Sequence, residues 1–282
     1  MEKPREFPEQ EQTQPGDQYQ MRPEPEIIRK NYAGSGKLRN KVALITGGDS
    51  GIGRSVAVHF AREGADVAIV HLEEDKDAED TRRMVEDEGR KCLVMAGDLK
   101  DEKFCISAVE QCVEKLGGLN ILVNNAAMQF PKDRLGEITA QQLDTTFQTN
   151  VYPFFHVTKQ ALKHLTENDV IVNTASITAY RGNEHLVDYS STKGAILGFT
   201  RALSKMLAKQ GIRVNGVAPG PIWTPLIPSS FQDVSKFGQD TPMGRAGQPS
   251  EVAPAYVFLA CEDSSYMSGQ FIHINGGEIL GG

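Results

Sequence analysis

From Lys41 onward, short apolar runs rich in β-branched residues alternate with longer stretches of helical period. The runs are 41–46 (KVALIT), 66–71 (DVAIVH), 91–96, 119–123 (LNILV), 170–175 (VIVNTA), 212–217 (IRVNGV) and 271–274. Between them lie 52–63, 101–116, 141–166, 188–209 and 249–261, where apolar residues recur every three or four positions. Strands that are apolar at consecutive positions have both faces covered, as in a parallel sheet between two layers of helix. Right-handed crossovers then predict an α/β fold with a doubly wound parallel sheet, whose ligands sit beyond the carboxyl ends of the strands. No segment of 20–50 residues repeats, which excludes a solenoid.

Before Lys41 the pattern is absent. The first 26 residues hold five of the 14 prolines, six glutamates and five glutamines. Such a composition buries little apolar surface by itself. It predicts an N-terminal arm over 1–40, flexible to about residue 26, with 27–40 as a lead-in that offers Ile27, Ile28 and Tyr32 for docking. The alternative is an arm that orders against the domain or a neighbouring subunit. Residues 41–282 form the single domain.

Charge and cysteine content narrow the class. A net charge of −7 argues against nucleic acid as a partner, because phosphate binding wants a basic stripe. No apolar run approaches the roughly 18 residues that span a bilayer, and the polar, acidic N-terminus lacks a secretion signal pattern. Cys92, Cys105, Cys112 and Cys261 form no CxxC pair and have no histidine at metal spacing, so no metal is expected. These features fit a cytoplasmic protein with reduced thiols.

The first strand runs straight into Thr46-Gly47-Gly48-Asp49-Ser50-Gly51-Ile52-Gly53. Glycines there allow a tight turn and bring a helix N-terminus close to a pyrophosphate, whose charge the free N–H groups favour. The spacing is not GxGxxG. The second strand ends near His71, followed by Leu72, Glu73, Glu74 and Asp75. Glu73 lies 20 residues beyond Gly53, about where an acidic residue binds the ribose hydroxyls of NAD. A 2′-phosphate would want Arg or Lys, and neither occurs between Gly64 and Lys76. Ser50 fills a loop position where a basic residue could have met that phosphate. NAD is therefore favoured over NADP, with Arg54 the one nearby cation that could swing in.

Tyr189 and Lys193 are four apart and share one helix face near Leu186. Hydride transfer at a carbinol needs a matched proton transfer at its oxygen. Free tyrosine titrates near pH 10, and a cation one helical turn away lowers that value and makes it a usable base. Ser176, at the end of the fifth strand, can hold the substrate oxygen.

With Asn124-Asn125-Ala126-Ala127 and Tyr189-Ser190-Ser191-Thr192-Lys193 added to the glycine loop and Ser176, the chain resembles the short-chain dehydrogenase/reductase family from about Lys37 to its C-terminus. The GGDSGIGR loop and the PGPIWT segment most resemble its glucose/ribitol dehydrogenase-like, general-stress branch. The resemblance implies a Rossmann sheet in the order 3-2-1-4-5-6-7 and a homotetramer. It implies that Asp98 and Leu99 lie beside the adenine, that Asn125, Ala126 and Ala127 close over the middle of the cofactor, and that Asn124 braces the sheet. Pro219, Gly220, Ile222 and Thr224 match the loop at the nicotinamide, and Asn150 matches a helix asparagine of a proton relay. His71 departs from the aspartate of many NAD-dependent members.

Substrate choice is expected to come from 221–247, a lid carrying Trp223, Leu226, Ile227, Phe231, Phe237 and Met243. Gln129, Phe130, Gln148 and His185 are further pocket candidates. Pro153 is expected to kink the helix over 141–166 close to Asn150. His59, His164 and His273 read as ordinary packing residues, and Gly276-Gly277…Gly281-Gly282 as a permissive tail that the family often packs against another subunit. The function these features predict is an oxidoreductase acting on a small alcohol, polyol or carbonyl substrate. An NADP-dependent carbonyl reductase, or a non-catalytic stress-related interaction protein that keeps the fold, are the alternatives.

Overall fold

The computed structural model describes residues 3–281. Met1, Glu2 and Gly282, the ends of the arm and of the glycine tail, lie outside the described residues. Seven parallel strands make one sheet: β1 (Val42–Thr46), β2 (Asp66–His71), β3 (Cys92–Ala96), β4 (Ile121–Asn124), β5 (Val170–Thr174), β6 (Arg213–Pro219) and β7 (Phe271–Ile274). Their order is β3-β2-β1-β4-β5-β6-β7, the doubly wound arrangement expected from the alternation of apolar runs and helical stretches. The central strands are buried along their whole length, which is why they read as unbroken apolar runs.

Helices α1 (Gly51–Arg62) and α8 (Pro249–Ala260) cover one face, with Val56, Phe60, Tyr256 and Leu259 buried against Ile45 and Val172. On the other face α3 (Glu102–Leu116), α5 (Tyr152–Ala161) and α7 (Val187–Leu207) bury Cys105, Val109, Val157 and Leu203. α2 (Asp75–Asp87) has no counterpart in the apolar period, because it is mostly charged and buries only Asp77, Ala78, Thr81 and Val85. The stretch 141–166 is two helices rather than one kinked helix: α4 (Ala140–Asn150) ends at Val151, whose backbone is non-helical, and α5 begins at Tyr152. Pro153 lies in the first turn of α5, where its missing N–H breaks no bond. α6 (Thr178–Arg181) is a single turn after β5.

The arm lies across its own domain. Phe7 and Met21 are buried and join Trp223, Ile227, Val234 and Ala246 in a separate hydrophobic cluster, with the Phe7 ring stacked on the indole of Trp223 at 3.8 Å. The composition hides this because so few apolar residues do the work. Further along, the Tyr32 hydroxyl donates to Glu63 at 2.7 Å and its ring packs edge-on against His59.

His59 is fully buried. Its Nδ1 lies 2.7 Å from the Ser55 carbonyl and must carry the proton there, while Nε2 has no partner. Burial holds its pKa down at about 4. Between pH 6.5 and 4 the unfolded chain therefore binds a proton that the folded chain refuses, so stability falls as pH drops through that window. A His59→Phe variant is expected to gain on the wild type over this range by up to about 3 kcal/mol, read as thermal midpoints of both proteins against pH. Parallel curves would show that His59 titrates normally.

Candidate active site

The residues that follow the ends of β1, β2, β3, β4, β5 and β6 surround one cavity of about 590 Å³. At its floor the glycine loop turns from β1 into α1. Gly51 has φ +52, and Thr224 Cγ2 stands 3.0 Å from where a Cβ would be; at Gly53 a Cβ would lie 1.8 Å from the Gly47 carbonyl oxygen. Only glycine permits that approach. Thr46 accepts the Asn125 and Ala126 N–H groups at 2.8 and 3.1 Å, and Asn125 Nδ2 donates to the Thr46 and Gly47 carbonyls at 3.1 and 3.0 Å. Asn125 is thus the staple that sets the loop against the segment after β4. Asn124 braces the sheet through Thr158 and Asn173.

Of the residues expected at the cofactor, Gly47, Ser50, Gly51, Ile52, His71, Leu72, Asp98, Leu99, Asn125, Ala126, Ala127, Pro219, Gly220, Ile222 and Thr224 line this cavity. Gly53 does not; its place is behind the loop, where it lets α1 press on Gly47. Glu73 is exposed and outside the cavity. The glutamate that lines it is Glu74, whose Oε2 accepts the Leu72 and Glu73 N–H groups at 3.2 and 2.9 Å and is thereby turned inward at the start of α2. Asp49 is buried beside it; loss of solvent, reinforced by the charge of Glu74, raises its carboxyl to about 7. Arg54 does not reach the cavity. Its guanidinium is spent on the Asp49 carbonyl, Thr81 and Asp77, with an ion pair to Asp77 at 2.8 Å.

Ser176, Tyr189 and Lys193 meet on the opposite wall. The Ser176 oxygen accepts from the N–H and hydroxyl of Thr178, at 3.2 and 3.1 Å, which leaves its own proton to donate. Burial raises the Tyr189 phenol to about 12, against a smaller lowering by the Ser176 hydroxyl. Lys193 is fully buried, with Nζ 5.4 Å from the centre of the Tyr189 ring and donating to the Thr174 carbonyl at 3.0 Å. Burial lowers it to about 7. The expected lowering of the tyrosine by the lysine is therefore not found. Both charged forms are penalised by the same loss of water.

Asn150 is fully buried but outside the cavity. It clasps Met128, giving Nδ2 to its carbonyl and taking its N–H, both at 2.8 Å, and Nδ2 also reaches Thr192. It positions the wall. The neighbouring Thr149 lines the cavity with an unpartnered Oγ1. In 221–247, Leu226, Ile227, Phe231 and Phe237 face the cavity, whereas Trp223 is turned into the cluster with Phe7 and Met243 is exposed. Gln129 lines the cavity; Phe130, Gln148 and His185 do not. Gln14, Pro15 and Gly16 of the arm line it too, which no local sequence signal marks. Among the described residues no cluster could hold a metal ion, and no helix is long and apolar enough to cross a membrane.

These features can be set beside known proteins. The enoyl-(acyl carrier protein) reductase family matches residues 47–278. General stress protein 39 of Bacillus subtilis (strain 168) is 55% identical over 280 residues, covering 98% of either chain. The glucose and ribitol dehydrogenase of Daucus carota is 50% identical over 283 residues, covering 98% of this chain and 97% of its own. Among solved structures, a short-chain dehydrogenase from Burkholderia cenocepacia J2315 in complex with NADP superposes with a TM-score of 0.81 at 31% identity, over 86% of this chain and 98% of that one. With that sheet order, glycine loop and Ser-Tyr-Lys wall, the chain belongs to the short-chain dehydrogenase/reductase family of oxidoreductases.

Proposed function

We propose that this chain transfers a hydride between NAD and a small alcohol, polyol or carbonyl compound, with Ser176, Tyr189 and Lys193 as its catalytic residues. The observation that carries this reading is their convergence on the wall facing the glycine loop of the same cavity. The cavity fits a nicotinamide nucleotide: the loop offers a helix N-terminus to the diphosphate, and the buried His71 Nδ1 and Thr149 Oγ1 lack partners that ribose hydroxyls would supply. When bound, the nicotinamide ring gives or takes the hydride. The protein handles the proton. In reduction Tyr189 gives its phenolic proton to the substrate oxygen, and in oxidation it takes the proton back, while Ser176 donates to that oxygen. Lys193 keeps donors beyond the one given to Thr174, for the cofactor's ribose and for the phenolate.

The preference for NAD rests on charge. Asp49 and Glu74 line the cavity near the glycine loop and the end of β2 and would repel a 2′-phosphate, and Arg54 is tied to Asp77. The NADP bound by the Burkholderia relative supports the second reading, an NADP-dependent carbonyl reductase. NADH is expected to bind at least about tenfold more tightly than NADPH, about 1.4 kcal/mol. Because Asp49 ionises near pH 7, this ratio should widen as pH rises through 7. Ser50→Arg should recover about tenfold in NADPH affinity. Titration of both cofactors at pH 6 and 8 checks this, and equal affinities would favour the second reading.

We read 221–247 as the lid over the substrate, with Leu226, Ile227 and Phe231 as its apolar lining. The enzyme is proposed to work in the cytoplasm as a homotetramer. Half-exposed Tyr152 and Phe155 on α5 offer surface for that assembly, and light scattering of the eluted protein measures its size.

A further inference from the structure

The arm contacts the cavity from three directions at once. Gln18 Oε1 accepts the Gly51 N–H at 2.7 Å, a bond buried at the start of α1, where Ser50 makes no cap of its own. One of the free N–H groups of that helix end is thereby held by the arm. Gln18 and Tyr19 are themselves anchored through their N–H groups on Asp77, the partner of Arg54. Gln14 pairs with the Gln129 backbone in both directions, its amide donating to the carbonyl and its Oε1 accepting the N–H. The 221–247 segment is fastened from outside: Phe7 stacks on Trp223, the indole N–H donates to the Pro23 carbonyl at 2.8 Å, and Gln12 N–H bonds the Pro228 carbonyl at 2.8 Å. Gly16 closes the seam, since a Cβ there would lie 2.7 Å from the Pro225 carbonyl oxygen.

Given the reading of the cavity as a nicotinamide-nucleotide site, we propose that Gln14 and Gln18 are positioning residues of that site, and that arm docking and cofactor binding strengthen each other. Gln18 does not face the cavity, so it competes with nothing there; it fixes the loop whose N–H groups meet the diphosphate. Gln14 fixes the segment after β4 and supplies part of the roof. A cofactor that orders the loop and the 221–247 segment also orders the surfaces on which the arm lies. Coupling of this kind must be reciprocal.

Trp223 is the only tryptophan in the chain, so its emission reports the arm directly. The test uses the full chain as Gln14→Ala, Gln18→Ala and the combined Phe7→Ala/Gln18→Ala variant, each checked for cooperative unfolding, with NADH and NADPH as the probes. Gln14→Ala and Gln18→Ala are each expected to weaken the tighter-binding cofactor by about tenfold, within the usual range of coupled sites. In the combined variant the Trp223 emission should move to longer wavelength without cofactor and return towards the wild-type position as cofactor saturates. A dissociation constant within twofold of wild type in the combined variant would overturn the proposal and leave the function reading intact. Failure of the wild type to bind either cofactor would remove both.

Discussion

Replacing Tyr189 by Phe is expected to lower turnover by about a thousandfold, within the range for losing a general acid or base, while cofactor affinity stays within about twofold. The change deletes one oxygen from a buried ring and adds nothing, so α7 and the cavity wall keep their shape. Only the group that gives or takes the substrate proton is lost, and Ser176, with its oxygen already engaged by Thr178, is not built to replace it. The measurement is the cofactor-linked absorbance change of wild type and variant on one substrate, together with cofactor titration of both. Retained turnover would remove Tyr189 from the chemistry. Loss of cofactor affinity would make its part structural.

Lys193→Met is expected to move activity and stability in opposite directions. Turnover should fall by about a hundredfold or more, because the Nζ donor proposed for the cofactor's ribose and for the phenolate is gone. Stability should rise by about 2 kcal/mol, on the order of 5 °C in Tm. Lys193 is fully buried with a single acceptor among the described residues, the Thr174 carbonyl, and a thioether of similar length fits the same channel without an ammonium to desolvate. The sign with pH follows from the lowered pKa of about 7. Below pH 7 the folded state must carry the buried charge, so the gain is full there. It shrinks as pH rises from 7 towards the unfolded value near 10.4, where neither state is protonated. Thermal melts of both proteins from pH 6 to 10 decide it. A destabilised variant would mean that Lys193 is held by more than one acceptor.

The central strands were legible because β1, β4 and β5 are buried on both faces and so appear as apolar runs, whereas their order came with the family resemblance. α2 was not legible, since a helix that shows the core only Ala78 and Val85 leaves almost no apolar period. The glycine loop, Ser176, Tyr189 and Lys193 were legible because each needs a residue type that backbone or chemistry dictates. Glu74 rather than Glu73 lines the cavity because the direction of the side chain depends on the start of α2, one residue from where spacing alone put it. Arg54 looked available only while Asp77 was not known to lie against it. The arm was the least legible part. Its hold depends on Phe7, Gln14 and Gln18 meeting residues 33 or more positions away, and nothing local marks them.

In the proposed function this one cavity holds a nicotinamide cofactor against Ser176, Tyr189 and Lys193 for hydride transfer. The most direct measurement supplies NADH deuterated at C4, on the transferable position, with a panel of sugars, aldehydes and small ketones, followed by mass analysis of the products. The expected result is cofactor oxidation with at least one carbonyl compound, deuterium on the new carbinol carbon, and loss of both signals in Tyr189→Phe. Cofactor that binds but is never consumed across the panel, or label that persists in Tyr189→Phe at the wild-type rate, would contradict it.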